Sequence, residues 1–212
     1  MIRVLFIASL IISNLILAEY TNSNGKALEK PFRDLVRWVR SDVEPKLAQI
    51  DVSSEWQTIN LNEADNYIIW IGHSTFLIKK EGIAILTDPV FSDRASPFKN
   101  IGPERLIPPA IPLNQLPQID FITVSHNHYD HLDRSSIRDL IKHQPSIKFL
   151  VPLGLGQTLY KWGVVDVTEL DWWQAINLQE VEIQPTPVKL SLIHISEPTR
   201  RYAISYAVFC LK

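Results

Sequence analysis

Short runs of apolar and β-branched residues, separated by turn signals, indicate a series of strands. The stretch NYIIWIGHSTFLIKKEGIAILTDPVF predicts strands over Tyr67–Ile71, Thr75–Lys79 and Ile83–Leu86, with a turn at KKEG. Further strands are predicted at IDFITV, IKFLVP and EVEIQPTPV, which are apolar runs of strand length.

Segments with helical spacing lie between and before these strands. The stretch DRSSIRDLIKHQ predicts a helix with Asp133 as its N-cap, and GLGQTLYKWG predicts a shorter one. Apolar residues in Lys30–Gln49 also recur at helical spacing, with a break near Pro45. The alternation of strand, helix and strand predicts an α/β (α+β) layered fold, and the proline-rich stretch Ser92–Pro117 predicts a long ordered loop.

The N-terminal residues form a segment of a different kind. A basic Arg3 precedes the apolar run Val4–Leu17, which ends at Ala18 and a polar stretch. This layout predicts a secretory signal peptide over residues 1–18, and therefore export, with a periplasmic location expected. The alternative is an uncleaved segment that anchors the protein to the membrane. Residues 19–66 are predicted to form an N-terminal helical extension.

Composition and charge narrow the function classes only slightly. The chain has 212 residues, of which 46% are hydrophobic and 21% charged, enough for one domain with a sizeable core. The net charge of −2 gives no reason to expect a nucleic-acid partner.

The stretch SHNHYDHLD carries the clearest chemical signal. His126, His128, Asp130 and His131 follow a predicted strand directly. Imidazole and carboxylate ligands suit zinc, with iron or manganese as alternatives. Alternating histidines in an extended segment point to one side, and the next two ligands can face a second ion as the loop turns into a helix. The spacing therefore predicts two neighbouring metal ions, expected to be zinc with iron or manganese as alternatives, and such a pair can supply a hydroxide nucleophile at neutral pH.

This cluster resembles the signature of the metallo-β-lactamase-fold hydrolases. The flanking sequence is similar to one branch of them, the N-acylphosphatidylethanolamine-hydrolysing phospholipase D-like proteins. The matching stretches are WIGHSTFLI, ILTDPVFSDRASP, GPERLIPPAI, LPQIDFITVSHNHYDHLD, VPLG and VTELDWWQ. The resemblance implies an αββα sandwich with metals at one edge, of which residues 67–189 would be the N-terminal portion.

The resemblance also implies roles for individual residues. His126 and His128 would bind the first zinc, and Asp130 and His131 the second. Asp130 would in addition orient the attacking hydroxide, which makes it the predicted catalytic residue. Asp88, in TDP, matches an aspartate that supports the metal loop, although such a residue before proline is also an ordinary turn former. His73, in GHST, is predicted to support the site or to pack beside it rather than to bind metal.

The C-terminal segment Leu190–Lys212 is predicted to come from outside the natural gene. It resembles a translation of the transposase adapter used in shotgun sequencing libraries, so residues 190–212 are predicted to be an artefact. The alternative is a genuine strand at YAISYAVFCL. The remaining metal ligands of the family would then follow Lys189 in the natural protein. The chain as given is therefore expected to be a truncated fragment that folds poorly, leaves apolar sheet surface uncovered and does not catalyse.

The predicted activity of the intact protein is that of a zinc-dependent phosphodiesterase. It would cleave N-acylphosphatidylethanolamine-like lipids in phospholipase D fashion, with peripheral contact to a membrane. One alternative is a hydrolase of another ester or lactone, because a fold does not fix the substrate. Another alternative is a non-catalytic domain that binds metal or a partner.

Overall fold

The computed structural model describes residues 53–97, 100, 104–178, 180–190 and 204–211, with only the backbone described over 188–190 and 204–211. The predicted signal segment and the helix over Lys30–Gln49 lie outside these residues. Of the predicted extension over residues 19–66, the described part contains one 3₁₀ turn, Glu55–Thr58. Within the described ranges, no helix has the length and apolar character needed to cross a membrane.

A six-stranded mixed sheet forms the centre of the fold. Its strands lie side by side in chain order: β1 Tyr67–Gly72, β2 Thr75–Lys80, β3 Ile83–Thr87, β4 Phe121–Thr123, β5 Lys148–Pro152 and β6 Val167–Leu170. The first three strands pair antiparallel, and β3 to β6 pair parallel. Strands β1, β3, β4, β5 and β6 therefore run in one direction, and their carboxyl ends meet at one edge of the sheet.

Two helices cover one face of this sheet. Helix α1, Arg134–His143, connects β4 to β5, and α2, Gly156–Trp162, connects β5 to β6. Apolar side chains of both helices join one buried cluster with those of the strands, and this cluster includes Ile137, Leu140, Leu159, Leu86, Ile122 and Phe149. Burial of these apolar groups is the main force that holds the helices on the sheet.

A smaller sheet covers part of the other face. It contains β7 Ile176–Leu178, β8 Val181–Leu190 and β9 Ile204–Leu211, in the order β7-β8-β9. Val181 and Ile183 of β8 are buried together with Ile85, Phe121 and Leu150 of the large sheet. The layers thus follow the order helices, large sheet, small sheet, and the predicted α/β class is confirmed.

The chain divides into two compact units. The larger comprises Gln49–Thr186 and Ala207–Lys212 and contains the large sheet and both helices. Of the smaller, Met1–Ala48 with Pro187–Tyr206, the structure describes the last residues of β8 and the first of β9.

The predicted elements agree with the structure wherever the apolar pattern is strong. Strands β1 to β5, β8 and both helices lie where the sequence places them. Strands β6 and β7 were not predicted. In β6, VTEL, Thr168 and Glu169 are both exposed, so the sequence shows neither an apolar run nor strict alternation.

Asp133 connects the start of α1 to the long loop that follows β3. Its Oδ1 accepts a hydrogen bond from Ser135 N at 3.1 Å, which confirms the predicted N-cap. Its Oδ2 accepts from Ser92 N at 3.2 Å and from the hydroxyl of Ser136. Because Asp133 is only 7% exposed, these donors have little access to water as a replacement.

We expect Asp133→Ala to lower the free energy of unfolding by about 1–3 kcal/mol, because a helix cap and buried donors lose their acceptor. Urea unfolding followed by circular dichroism measures this loss. Asp139→Ala is the matched control, since Asp139 lies exposed on the same helix. Equal midpoints for the two variants would contradict the role given to Asp133.

Candidate metal centre

The candidate site lies at the edge of the large sheet where the parallel strands end. Asp88 follows β3 directly, and the segment Ser125–Asp133 leads from the end of β4 to α1. This segment folds into tight turns, with His131 N and Leu132 N both donating to His128 O at 3.0 and 2.7 Å. Ligands and catalytic groups of open α/β sheets commonly lie at such an edge.

Asp88 forms the base of the site. Its Oδ1 accepts from Ser125 N at 2.6 Å, and its Oδ2 accepts from Ser125 Oγ at 2.7 Å and from His131 Nδ1 at 2.8 Å. The residue is 7% exposed and has a backbone φ of 36°, in the left-handed region that is uncommon outside glycine. An unusual backbone conformation at a buried carboxylate is typical of functional sites.

These hydrogen bonds determine which ring nitrogen of two histidines carries the proton. Since His131 donates from Nδ1 to the carboxylate, its Nε2 is unprotonated in the neutral ring. Ser125 Oγ donates its one hydrogen to Asp88, so in the 2.9 Å contact with His126 Nδ1 it is the acceptor and the ring nitrogen is the donor. His126 therefore also presents an unprotonated Nε2, which is the form that binds a metal ion.

His126 and His128 form the first group of ligands. His126 Nε2 lies 3.0 Å from His128 Nδ1. Nitrogens that share one tetrahedral zinc at about 2.0–2.1 Å lie about 3.3 Å apart, so the two rings are already close to that separation. Burial lowers the pKa of His126 to about 2, with further lowering from His131 and His128. Burial also lowers the pKa of His128, so both rings are neutral near pH 7.

His73, Asp130 and His131 form the second group. His73 Nε2 lies 3.1 Å and His131 Nε2 3.7 Å from Asp130 Oδ2, and the three ligand atoms all lie within 4.8 Å of one another. Burial raises the pKa of Asp130, but the hydrogen bond from His73 and the nearby imidazoles outweigh it and hold this pKa below its ordinary value. Asp130 is therefore ionised at neutral pH.

The residues present fit a pair of divalent ions. The two groups adjoin, because the ring centroids of His126 and His131 are 4.0 Å apart. Neutral imidazoles and an ionised carboxylate are the donor set that zinc and iron accept. The structure thus brings together all four ligands predicted from the sequence, and it places Asp88 and His73 against them. The roles of individual residues in metal binding stay predictions.

Two features of the site were not apparent from the sequence. Ser125 connects Asp88 to the ring of His126 and lies 3.3 Å from His131 Nδ1. The only signal for it was its position immediately before the first histidine of the cluster. His73 shares the ligand group of Asp130, although 57 residues separate the two along the chain.

A family model described as the beta-lactamase superfamily domain matches residues 84–209, more than half of the chain. The chain belongs to this superfamily. Its mixed sheet, layered order and His/Asp edge agree with the metallo-β-lactamase fold that the sequence resemblance implied. The matched span includes most of residues 190–212, for which the sequence predicts an adapter origin, and that origin stays a prediction.

Relatives of this superfamily member include proteins with named activities. It is 41% identical over 119 residues to N-acyl-phosphatidylethanolamine-hydrolyzing phospholipase D 1 of Caenorhabditis elegans, covering 54% of this chain and 33% of that protein. It is 44% identical over 124 residues to an uncharacterized protein of Mycobacterium tuberculosis, covering 58% of this chain and 33% of the relative. The chain therefore spans about a third of the length of these relatives.

A solved structure gives a further similarity. CmlA, a diiron beta-hydroxylase from Streptomyces venezuelae, is 25% identical and superimposes with a TM-score of 0.50, covering 70% of this chain and 27% of that one.

We expect Asp88→Asn to weaken zinc binding by about 10–100-fold, as loss of an outer partner of a metal-binding histidine commonly does. The single amide oxygen of Asn can replace only one carboxylate oxygen. If it accepts from Ser125 N, the NH₂ faces His131 Nδ1 and cannot accept from it, so His131 loses the interaction that keeps its Nε2 unprotonated. Isothermal titration with zinc measures the change. Asp166→Asn, at an exposed position, is the control. Identical affinities would show that Asp88 does not act on the metal centre.

Proposed function

We propose that the protein is a zinc-dependent phosphodiesterase of the phospholipase D-like type, acting on N-acylphosphatidylethanolamine-like lipids. The observation that carries this proposal is the partly buried His/Asp cluster, in which Asp88 and Ser125 already set the metal-binding tautomers of His131 and His126. The relative named for hydrolysis of such a lipid supports the choice of substrate. Zinc is proposed over iron or manganese because histidines dominate the ligand set.

The side chains of the site have distinct tasks in this proposal. His126 and His128 would hold one ion, and Asp130 with His131 would hold the other. Bound zinc would supply a nucleophile from water at neutral pH and stabilise the negative charge that develops on the phosphoryl oxygens. Asp130 is ionised and a weak base, so it would accept a hydrogen bond from the attacking water and orient it rather than remove its proton. Asp88 keeps His131 in place throughout.

Exposed apolar side chains at the same edge support a lipid substrate and peripheral membrane contact. Trp70 lies near the carboxyl end of β1, and Tyr129 lies within the ligand loop. Leu153 and Trp173 follow the ends of β5 and β6. These four side chains are 47%, 38%, 42% and 62% exposed. Tryptophan and tyrosine suit the boundary between water and lipid, since each has an apolar ring with a polar group.

The proposed activity belongs to the longer protein that would contain this chain. Its relatives are about three times as long as the part matched, and a catalytic zinc normally has three protein ligands. Within the described residues, His126 and His128 are the two that would hold the first ion. We therefore propose that the 212-residue chain alone does not turn over substrate. From the basic and apolar pattern of residues 1–18, we also propose that the natural protein is exported.

The test of this function begins with the source DNA across the codon for Lys189, from which the full reading frame is expressed. We expect the full-length protein to hydrolyse bis-p-nitrophenyl phosphate and to release phosphatidic acid from N-acylphosphatidylethanolamine vesicles. The 212-residue chain should do neither. Asp130→Asn should lower kcat by about 100-fold or more, because the attacking water loses its orienting carboxylate. His143→Ala, at an exposed position on α1, should leave kcat unchanged.

The outcome of this assay decides among the alternatives. Hydrolysis of a lactone or carboxylic ester without phosphodiester cleavage would replace the proposed substrate class. Zinc bound at full occupancy with no activity on any of these substrates would indicate a metal-binding domain without catalysis.

We expect chelation of the full-length protein to abolish hydrolysis and added zinc to restore it. The reason is that the hydroxyl of Ser125, which lies among the ligands, already donates to Asp88 and accepts from His126 Nδ1, so we expect the nucleophile to be water activated by the ions. Metal content by mass spectrometry, measured with the rate, gives the number of ions needed. Restoration by iron or manganese to a higher rate than by zinc, at equal occupancy, would show that zinc is the wrong metal.

A further inference from the structure

We propose that His73 is a third protein ligand of the ion held by Asp130 and His131. This replaces the supporting or packing role that the sequence predicted for His73. The inference depends on the proposed function only because it requires a divalent ion. It gives that ion three ligands within the described residues of this chain.

The distances among the three side chains carry the inference. His73 Nε2 and His131 Nε2 lie 3.1 and 3.7 Å from Asp130 Oδ2, and all three ligand atoms fit within 4.8 Å. Atoms that share one tetrahedral zinc lie about 3.3 Å apart, so both distances are within a few tenths of an ångström of the separation that ligands of a single ion need. His131 Nε2 is the metal-binding nitrogen because its Nδ1 donates to Asp88. His73 Nε2 donates to Asp130 when no ion is bound, so an ion binds His73 only after this proton moves to Nδ1 or to solvent.

The turn between β1 and β2 is built to hold His73 in this position. His73 has a φ of 50°, and Trp70 Nε1 donates to its carbonyl oxygen at 2.8 Å. Gly72 before it has a φ of 148°, and a Cβ added there would lie 3.1 Å from Arg105 Nη1. A side chain at position 72 would therefore strain the backbone and press on Arg105, so the turn needs glycine next to the histidine.

Access also favours a ligand over a packing residue. The side chains of His73 and Asp130 are 53% and 43% exposed, whereas that of His131 is 14% exposed. An ion at this group could therefore enter from solvent while His131 fixes its inner side. A histidine that only packed would be expected to lose more of its surface to neighbours.

The competing role is a hydrogen-bond donor that orients Asp130 without touching the ion. His73→Gln separates the two roles, because an amide NH₂ can still donate to a carboxylate but an amide is a poor zinc ligand. His73→Ala removes both functions. His143→Ala is the matched control, since it deletes an exposed histidine on α1.

The experiment titrates zinc and cobalt(II) into the metal-free protein expressed from the full reading frame and into these three variants of it. Affinity is measured by calorimetry, and the cobalt absorption bands report the number of ligands. We expect His73→Ala and His73→Gln both to weaken binding by about tenfold or more and to change the cobalt spectrum, while His143→Ala matches the wild type. Far-UV circular dichroism checks that folds agree, and if His73→Ala differs, the conclusion rests on the polar His73→Gln variant.

Two results would overturn the inference. Wild-type affinity in His73→Ala would show that His73 does not act on the ion, and wild-type affinity and spectrum in His73→Gln would assign it as a donor to Asp130. Metal binding is read here without turnover. If both His73 variants lose affinity, the inference holds even when the full-length protein fails to cleave phosphodiesters. If the full-length protein cleaves phosphodiesters and both variants keep wild-type affinity, the proposed function holds and the inference fails.

Discussion

The carboxylate of Asp88 is the constraint on which the rest of the site depends. It receives hydrogen bonds from the backbone and hydroxyl of Ser125 and from the ring of His131. Its own backbone N donates to Thr123 O at 2.8 Å, and its carbonyl accepts from Thr75 Oγ1 at 2.7 Å. One buried residue therefore joins β2, β3 and the loop after β4, and the same contacts set the protonation of the histidines.

The large sheet supplies the second constraint, because it fixes both ends of the ligand loop. Val124, fully buried after β4, donates to Leu150 O of β5 at 3.2 Å. At the other end, Asp133 caps α1 and binds the backbone of Ser92. The loop between them is short and crowded, so its side chains have few alternative arrangements. Such preorganisation reduces the ordering that metal or substrate binding must otherwise impose.

Much of this arrangement could be predicted from the sequence because it is local. The cluster His126–His131 lies in one stretch, and the cap Asp133 follows it by two residues. The β1 to β5 strands have enough apolar residues to be recognised. Strand β6 could not be recognised because Thr168 and Glu169 are exposed, and its strand conformation comes from pairing with β5.

Whether His73 binds an ion could not be predicted from the sequence, for a related reason. It meets Asp130 only because β1 and β3 run in the same direction and the β1–β2 turn returns to the edge where β4 ends. The four residues GHST contain no pattern from which the contact between His73 and Asp130 could be predicted. The motif resemblance indicated proximity to the site, but whether a histidine binds an ion or supports a ligand depends on distances of a few tenths of an ångström.

The protonation of the cluster explains why metal binding and the conformation of this loop should be linked. His126 is 2% exposed, and burial places its pKa at about 2, so it cannot take up a proton at neutral pH. The 3.0 Å contact with His128 therefore holds a single proton, carried on His128 Nδ1. A divalent ion can take both lone pairs once His128 carries its proton on Nε2. An ion and the hydrogen bond thus require the same two nitrogens, His126 Nε2 and His128 Nδ1, in different protonation states. An ion that displaces the hydrogen bond stabilises the folded loop, because it binds only when the loop is folded.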